Sequence, residues 1–133
     1  MPILGLDVGA SKVYYVILEG DQLSHEGKRK ISRKTKGFLL QLLKEIKEEI
    51  KKRGFTLERV GVALPGATKD GVLNYVPNFP ALRGWKVEAE LEKVFEVPVV
   101  AVNDAWAFSY AEVTLGAGRN LANVVGLTLG SGL

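Results

Sequence analysis

The chain has 133 residues, of which 47% are apolar and 25% charged with both signs mixed, the size and balance of one globular domain or one lobe of a larger protein. It has no cysteine and one histidine, His25, which excludes disulfides and thiolate or multi-histidine metal sites, and no apolar run approaches the roughly 20 residues that cross a bilayer. The formal net charge of +3 comes mostly from Lys28-Arg29-Lys30 through Lys36, a run without interleaved aromatics that reads as a solvated strand end and loop rather than a nucleic-acid surface.

Ile3 to Val8 is short, apolar and ended by Gly9, which predicts a buried strand. Lys12 to Glu19 is rich in β-branched and aromatic residues and predicts a second strand, joined through Gly20-Asp21 to a third from about Gln22 to Ile31. From about Phe38 to Arg53, Leu39, Leu42, Leu43, Ile46 and Ile50 recur at helical spacing. Lys44, Lys47, Glu48, Lys51 and Lys52 form the wet face of that helix, and Gly54 stops it. Arg59 to Leu64 predicts a fourth strand closed by Pro65-Gly66, and a polar loop follows through Asn78-Phe79-Pro80 and Gly84-Trp85. A second helix is expected over Val87 to Phe95 and a fifth strand over Pro98 to Val102. The third helix opens at Asn103-Asp104 and runs to about Leu115, where Gly116 and Gly118 end it. Val124 to Leu129 predicts a sixth strand that runs into Gly130-Ser131-Gly132.

The order is βββαβαβα plus one late strand. It predicts an α/β fold with a mixed five-stranded sheet and helices on its faces. That order is similar to a ribonuclease-H-like lobe of the superfamily that holds sugar kinases, heat-shock proteins and actin (the actin-like ATPase fold). Residues 1–120 are expected to form that lobe, and residues 121–133 the first strand and phosphate turn of a second. The partners of the late strand are absent, so it is expected to be disordered, folded back on the first lobe, or paired across a homodimer.

Five motifs carry chemistry. Asp7-Val8-Gly9-Ala10-Ser11-Lys12 lies between two strands. Gly9 at positive φ would open an anion-binding nest, with a hydroxyl from Ser11 and a cation from Lys12. Asp7 could hold Mg²⁺ directly or through water. A plain hairpin turn uses the same residue types. Leu64-Pro65-Gly66 and Pro77-Asn78-Phe79-Pro80 read as strand and turn terminators, or as a place where the Asn78 amide meets a ligand hydroxyl. Asn103-Asp104 is an N-cap, or a carboxylate at the mouth of a crevice that accepts a proton from an attacking hydroxyl, or both. Leu127 to Gly132 repeats the design of a strand running into a glycine turn.

Taken in order, these motifs resemble the ROK family (repressor, open reading frame, kinase). Asp7 to Lys12 resembles its first phosphate motif, with Ala10 and Ser11 where Gly and Thr are usual. Val62-Ala63-Leu64-Pro65-Gly66 resembles its Gly-Val-Pro-Gly element. Pro77-Asn78-Phe79 with Gly84-Trp85 resembles its Pro-Asn-Leu and Gly-Trp stretch. Asn103-Asp104-Ala105-Trp106-Ala107 resembles Asn-Asp-Ala-Asn-Ala, and Leu129-Gly130-Ser131-Gly132 resembles Leu-Gly-Thr-Gly. The resemblance implies a carbohydrate kinase that moves the γ-phosphate of ATP, with Mg²⁺, to a hydroxyl of a glucose-like or N-acetylated hexose. By position Asp104 would be the catalytic base. Gly66, Asn78, Asn103 and Asp104 would bind the sugar. Asp7, Gly9, Ser11, Lys12, Gly130, Ser131 and Gly132 would serve the nucleotide phosphates, and Asp7 the Mg²⁺ through water.

Trp106 departs from the family's usual Asn and is expected near the sugar cleft or in the core. Family members are about twice as long. Their further half carries a Glu-x-Gly-His sugar element, a Cys-rich zinc site and most of the adenine pocket, so this chain alone is expected to be inactive. The alternatives are a sugar-sensing ROK regulator, whose winged helix would precede the first motif where Asp7 leaves no room, and a non-catalytic binding module. A cytoplasmic protein is expected, with no nucleic-acid or membrane partner and a possible homodimer. The Lys/Glu-rich helix and lack of cysteine hint at a thermophile.

Overall fold

The computed structural model describes residues 1–129. The first three strands, β1 (Pro2–Val8), β2 (Lys12–Glu19) and β3 (Gln22–Lys30), form an antiparallel meander. Gly20 has φ +63°, which lets a two-residue turn join β2 to β3. Then follow α1 (Lys36–Lys52), β4 (Arg59–Leu64), the short strands β5 (Ala67–Lys69) and β6 (Val72–Tyr75), α2 (Val87–Phe95), β7 (Val99–Asn103) and α3 (Asp104–Thr114). The main sheet has five strands in the order β3-β2-β1-β4-β7. β4 runs parallel to both β1 and β7, so the sheet is mixed, as its element order predicts.

The core lies on one face of this sheet. Thr35 caps α1 by accepting from the Phe38 N–H at 3.1 Å, and the five apolar residues of the predicted stripe are all buried. They pack on Leu4, Leu6 and Val8 of β1, Val13, Tyr15 and Ile17 of β2, and Val60, Val62 and Leu64 of β4. Val87, Leu91 and Phe95 of α2 complete this layer. Each such side chain stabilises the fold by about 1.5–3 kcal/mol over the exposed state.

A polar cluster adds to this layer. The carboxylate of Glu49 in α1 accepts from the Tyr15 hydroxyl at 2.8 Å, contacts His25 Nε2 at 3.3 Å and pairs with Arg29 and with Arg53. Gly27 makes room, since a Cβ there would meet the Tyr15 ring. Partial burial works to raise the Glu49 pKa. The hydrogen bonds from Tyr15 and His25, the charge of Arg29 and the bond from Arg53 outweigh it and hold the carboxyl below its usual range.

The edge of β7 is closed by α2. The backbone N–H groups of Val99 and Ala101 donate to the carboxylates of Glu92 and Glu88 at 3.2 and 2.9 Å. This matters because an open edge invites pairing with another chain.

Among the described residues, α3 is the one helix on the opposite face of the sheet, and none of its residues is buried. Gly5, Gly61 and Ala63 floor an apolar groove of about 630 Å³ there, with Tyr14, Val100, Trp106 and Phe108 on its walls. Those four side chains remain 45–58% exposed.

Two expectations are corrected. The polar loop after Gly66 contains the β5–β6 hairpin. Its two central residues, Asp70 and Gly71, both have positive φ, 52° and 76°, the geometry that an Asp-Gly pair favours in a tight hairpin. The predicted strand Val124 to Leu129 has no ladder among the described residues. Instead the segment lies along α3, with Gly126 against Ser109 and Val124 against Gly118. It is folded back on the first lobe, one of the three outcomes expected of a strand whose partners are absent. No described helix is long and apolar enough to cross a membrane.

Candidate functional site

Because β1, β4 and β7 are parallel to one another, their carboxyl ends meet at one side of the sheet. Asp7 pairs in register with Ala63, Ala63 with Val102 and Leu64 with Asn103. The crevice outside such strand ends is where α/β sheets bind ligands.

Asn103 and Asp104 divide the work expected of them. Asn103 is the N-cap: its Oδ1 accepts from the Trp106 N–H at 3.2 Å, and its Nδ2 donates to the Gly66 carbonyl at 2.8 Å. Asp104 is the first residue of α3, and its Oδ1 accepts from the Ala105 N–H at 2.7 Å. A helix N-terminus favours a carboxylate there. Gly66 is buried, and a Cβ on it would collide with the Tyr75 carbonyl oxygen, so only glycine fits.

These residues bound a cleft of about 550 Å³ that brings together Gly9, Gly66, Asn78, Asn103 and Asp104. Thr128 and Leu129 stand at its rim. Tyr75 also lines it and was not singled out from the sequence; the Asp70-Gly71 turn signal ahead of its strand is what could have pointed to it. Asn78 is exposed, and its carbonyl accepts from Lys34 Nζ at 3.4 Å.

Asp7 lies on the other side of Asp104, at the end of the apolar groove that Asp104 also borders. As a residue Asp7 is exposed. Desolvation of its carboxyl, and then the negative charge of Asp104, still raise its pKa above the ordinary value. A single carboxylate at Asp7, with no group of three metal-binding side chains among the described residues, suits Mg²⁺ held through water. That ion keeps several waters and takes its remaining ligands from phosphates.

The first phosphate turn differs from expectation at Gly9. Its φ is not positive, and its N–H donates to the Lys12 carbonyl at 2.8 Å, closing the β1–β2 hairpin. A Cβ there would sit 3.3 Å from that same oxygen, so glycine serves close packing rather than a left-handed bend. Among the described residues no hydrogen bond uses the N–H groups of Ala10 and Ser11. Ser11 and Lys12 are exposed and outside the lining of the cleft. Gly130, Ser131 and Gly132 lie outside the described residues.

Trp106 is neither in the core nor on the cleft. It is 55% exposed and borders the groove, stacked on Tyr110 with centroids 5.0 Å apart and planes 11° from parallel. The cleft therefore offers one carboxylate at a helix N-terminus, backbone groups at a glycine turn and an aromatic wall. That set can accept a proton from a hydroxyl and hold a polyhydroxylated molecule.

Comparison with known proteins gives this geometry a family. The ROK family profile matches residues 3–133. The chain is 32% identical to the N-acetylgalactosamine kinase of Shewanella sp. (strain ANA-3), over 96% of this chain and 42% of that protein. It is 29% identical to the glucokinase of Thermotoga maritima, over 100% of this chain and 43% of that protein. The crystal structure of the ROK hexokinase from Thermus thermophilus superposes with a TM-score of 0.76 at 27% identity, over 90% of this chain and 41% of that one. The chain thus spans about two fifths of the length of the relatives it matches, and its sheet is that of the actin-like ATPase fold of ROK sugar kinases. A match over nearly every residue, on a sheet of this order, makes the chain a member of the ROK family.

Proposed function

We propose that the chain is the N-terminal lobe of an ATP-dependent carbohydrate kinase that transfers the γ-phosphate of ATP to a hydroxyl of a glucose-like or N-acetylated hexose. The observation that carries this is the placement of Asp104 at the N-terminus of α3, facing a cleft also lined by Gly66 and Asn78. Its carboxylate accepts the proton of the sugar hydroxyl that attacks phosphorus. Asn103 holds Asp104 and the Gly66 turn in place, and Gly66 and Asn78 border the sugar. The N–H groups of Ala10 and Ser11, with the Ser11 hydroxyl and the Lys12 cation, face phosphate across the β1–β2 turn together with Gly9. Asp7 holds Mg²⁺ through water, and bound Mg²⁺ neutralises charge on the phosphates. Gly130, Ser131 and Gly132 belong to the second phosphate turn.

In this reading residues 1–120 form the lobe and residues 121–133 begin the next. Half a cleft does not hold both reactants in line, so the chain alone does not turn over. A cytoplasmic protein of a thermophile, able to form a homodimer through its exposed apolar face, fits the composition and the groove. The test joins this chain to the further half of the Thermotoga maritima glucokinase and assays ADP release with a panel of hexoses. Turnover that falls about 10²–10⁴-fold in Asp104→Asn supports the reading. Turnover that survives this change, or that no hexose elicits, contradicts it.

A further inference from the structure

Tyr75 is 67% exposed at the end of β6 and lines the same cleft as Asp104. The fold does not use its ring, which lies outside the hydrophobic core. Its place is nonetheless fixed. Two residues earlier, Leu73 is fully buried and bridges to Trp85. Tyr75 itself pairs with Ala67 across the hairpin. Its carbonyl presses on the bare Cα of Gly66, the Gly66 carbonyl takes the Asn103 amide, and Asn103 caps the helix that Asp104 begins. The backbone that carries this exposed ring is thus tied, through three successive contacts, to the helix that Asp104 begins.

We infer that Tyr75 is a specificity-determining residue of the acceptor pocket, its ring receiving the C–H face of a hexopyranose whose rim of hydroxyls meets Asp104 and Asn78. This rests on the reading of the Asp104 cleft as the acceptor site. A pyranose has an apolar face and a polar edge, and a cleft with one aromatic wall and a few polar groups matches both. The backbone beneath the ring is held by these contacts, so binding orders only its two side-chain torsions. Open-chain polyols bear the same hydroxyls without the flat C–H face, so the wall selects cyclic sugars.

The test is ligand-observed saturation-transfer NMR on the 133-residue chain with glucose, N-acetylglucosamine and sorbitol, comparing wild type with Tyr75→Phe, Tyr75→Leu and Tyr75→Ala, each checked for fold by circular dichroism. Wild type and Tyr75→Phe bind both hexoses and not sorbitol, while the Leu and Ala variants bind about five-fold more weakly or worse. Tyr75→Leu keeps apolar bulk and decides the matter if Tyr75→Ala unfolds. Hexose binding unchanged in a folded Leu or Ala variant overturns the role of Tyr75 alone, as does sorbitol binding equal to glucose. No hexose binding by wild type overturns the acceptor-site reading and this inference with it.

Discussion

The side-chain amide of Asn103 donates to the carbonyl of Gly66 at 2.8 Å while its oxygen caps α3 through the Trp106 N–H, so the turn after β4 and the helix that carries Asp104 are held by one side chain. Asn103→Ala loses both bonds and is expected to destabilise the chain by about 2 kcal/mol. Asn103→Asp keeps the cap but sets a carboxylate oxygen against the Gly66 carbonyl where the donor stood, so it too is expected to be less stable than wild type. Urea unfolding reads both values. Equal stability of all three proteins would show that the bonds are not made in solution.

Asp7→Asn is expected to stabilise the chain at neutral pH. The folded-state pKa of Asp7 is raised above 3.8, so the folded state holds this proton more firmly than the unfolded one. Stability is therefore lost as pH rises from 3.8 through the folded value. The amide removes that loss. Melting temperatures at pH 7 should favour Asp7→Asn, and the gap should close near pH 3, where both side chains are neutral. A variant less stable than wild type at pH 7 would refute the sign.

Glu49 has the opposite sign. Its pKa is lowered from 4.5 in the fold, so its pairing contributes stability above pH 4.5 that disappears as pH falls through the lower folded value. Glu49→Gln should be less stable than wild type at pH 7 and indistinguishable from it in strong acid. Replacing this charged acceptor, which Arg29 and Arg53 pair with, by a neutral amide costs about 1–3 kcal/mol at neutral pH. A gap independent of pH would mean that packing, not charge, is what the variant disturbs.

The groove face and the segment after α3 expose Val125, Leu127 and Leu129 at 76–86%, beside Trp106 and Tyr110 at 55% each. Apolar surface of this extent favours association. Light scattering should show the 133-residue chain self-associating with concentration, and less so when it ends at Asn120 or carries Trp106→Glu. A monomer at every concentration would remove the groove as an interface between copies.

Elements with a long apolar period were legible in the sequence. The stripe Leu39 to Ile50 identifies α1, and the alternation Val60, Val62, Leu64 identifies β4 with its observed bounds. The β5–β6 hairpin was not, because its strands have three and four residues and only Leu73 among them is buried. Val124 to Leu129 has the composition of a strand, but a strand needs a partner, and the segment folds back along α3, one of the outcomes expected when that partner is absent. In the site, Asn103-Asp104 stands out because two capping residues follow an apolar strand. Tyr75 does not, since an exposed aromatic looks the same in sequence whether or not it faces a cleft. Gly9 stands in the β1–β2 turn, where the contact with the Lys12 carbonyl and not a positive φ accounts for the glycine.

The most direct test of the account is a two-dimensional ¹H–¹⁵N NMR titration of the chain, first with glucose and then with Mg²⁺-ADP. The account predicts that glucose shifts the amides of Gly66, Tyr75, Asn103 and Asp104, and that the nucleotide shifts those of Ala10 and Ser11, with the Glu49 cluster unmoved. Shifts confined to α1 and β3, or none at the Asp104 cleft at saturating sugar, would contradict it.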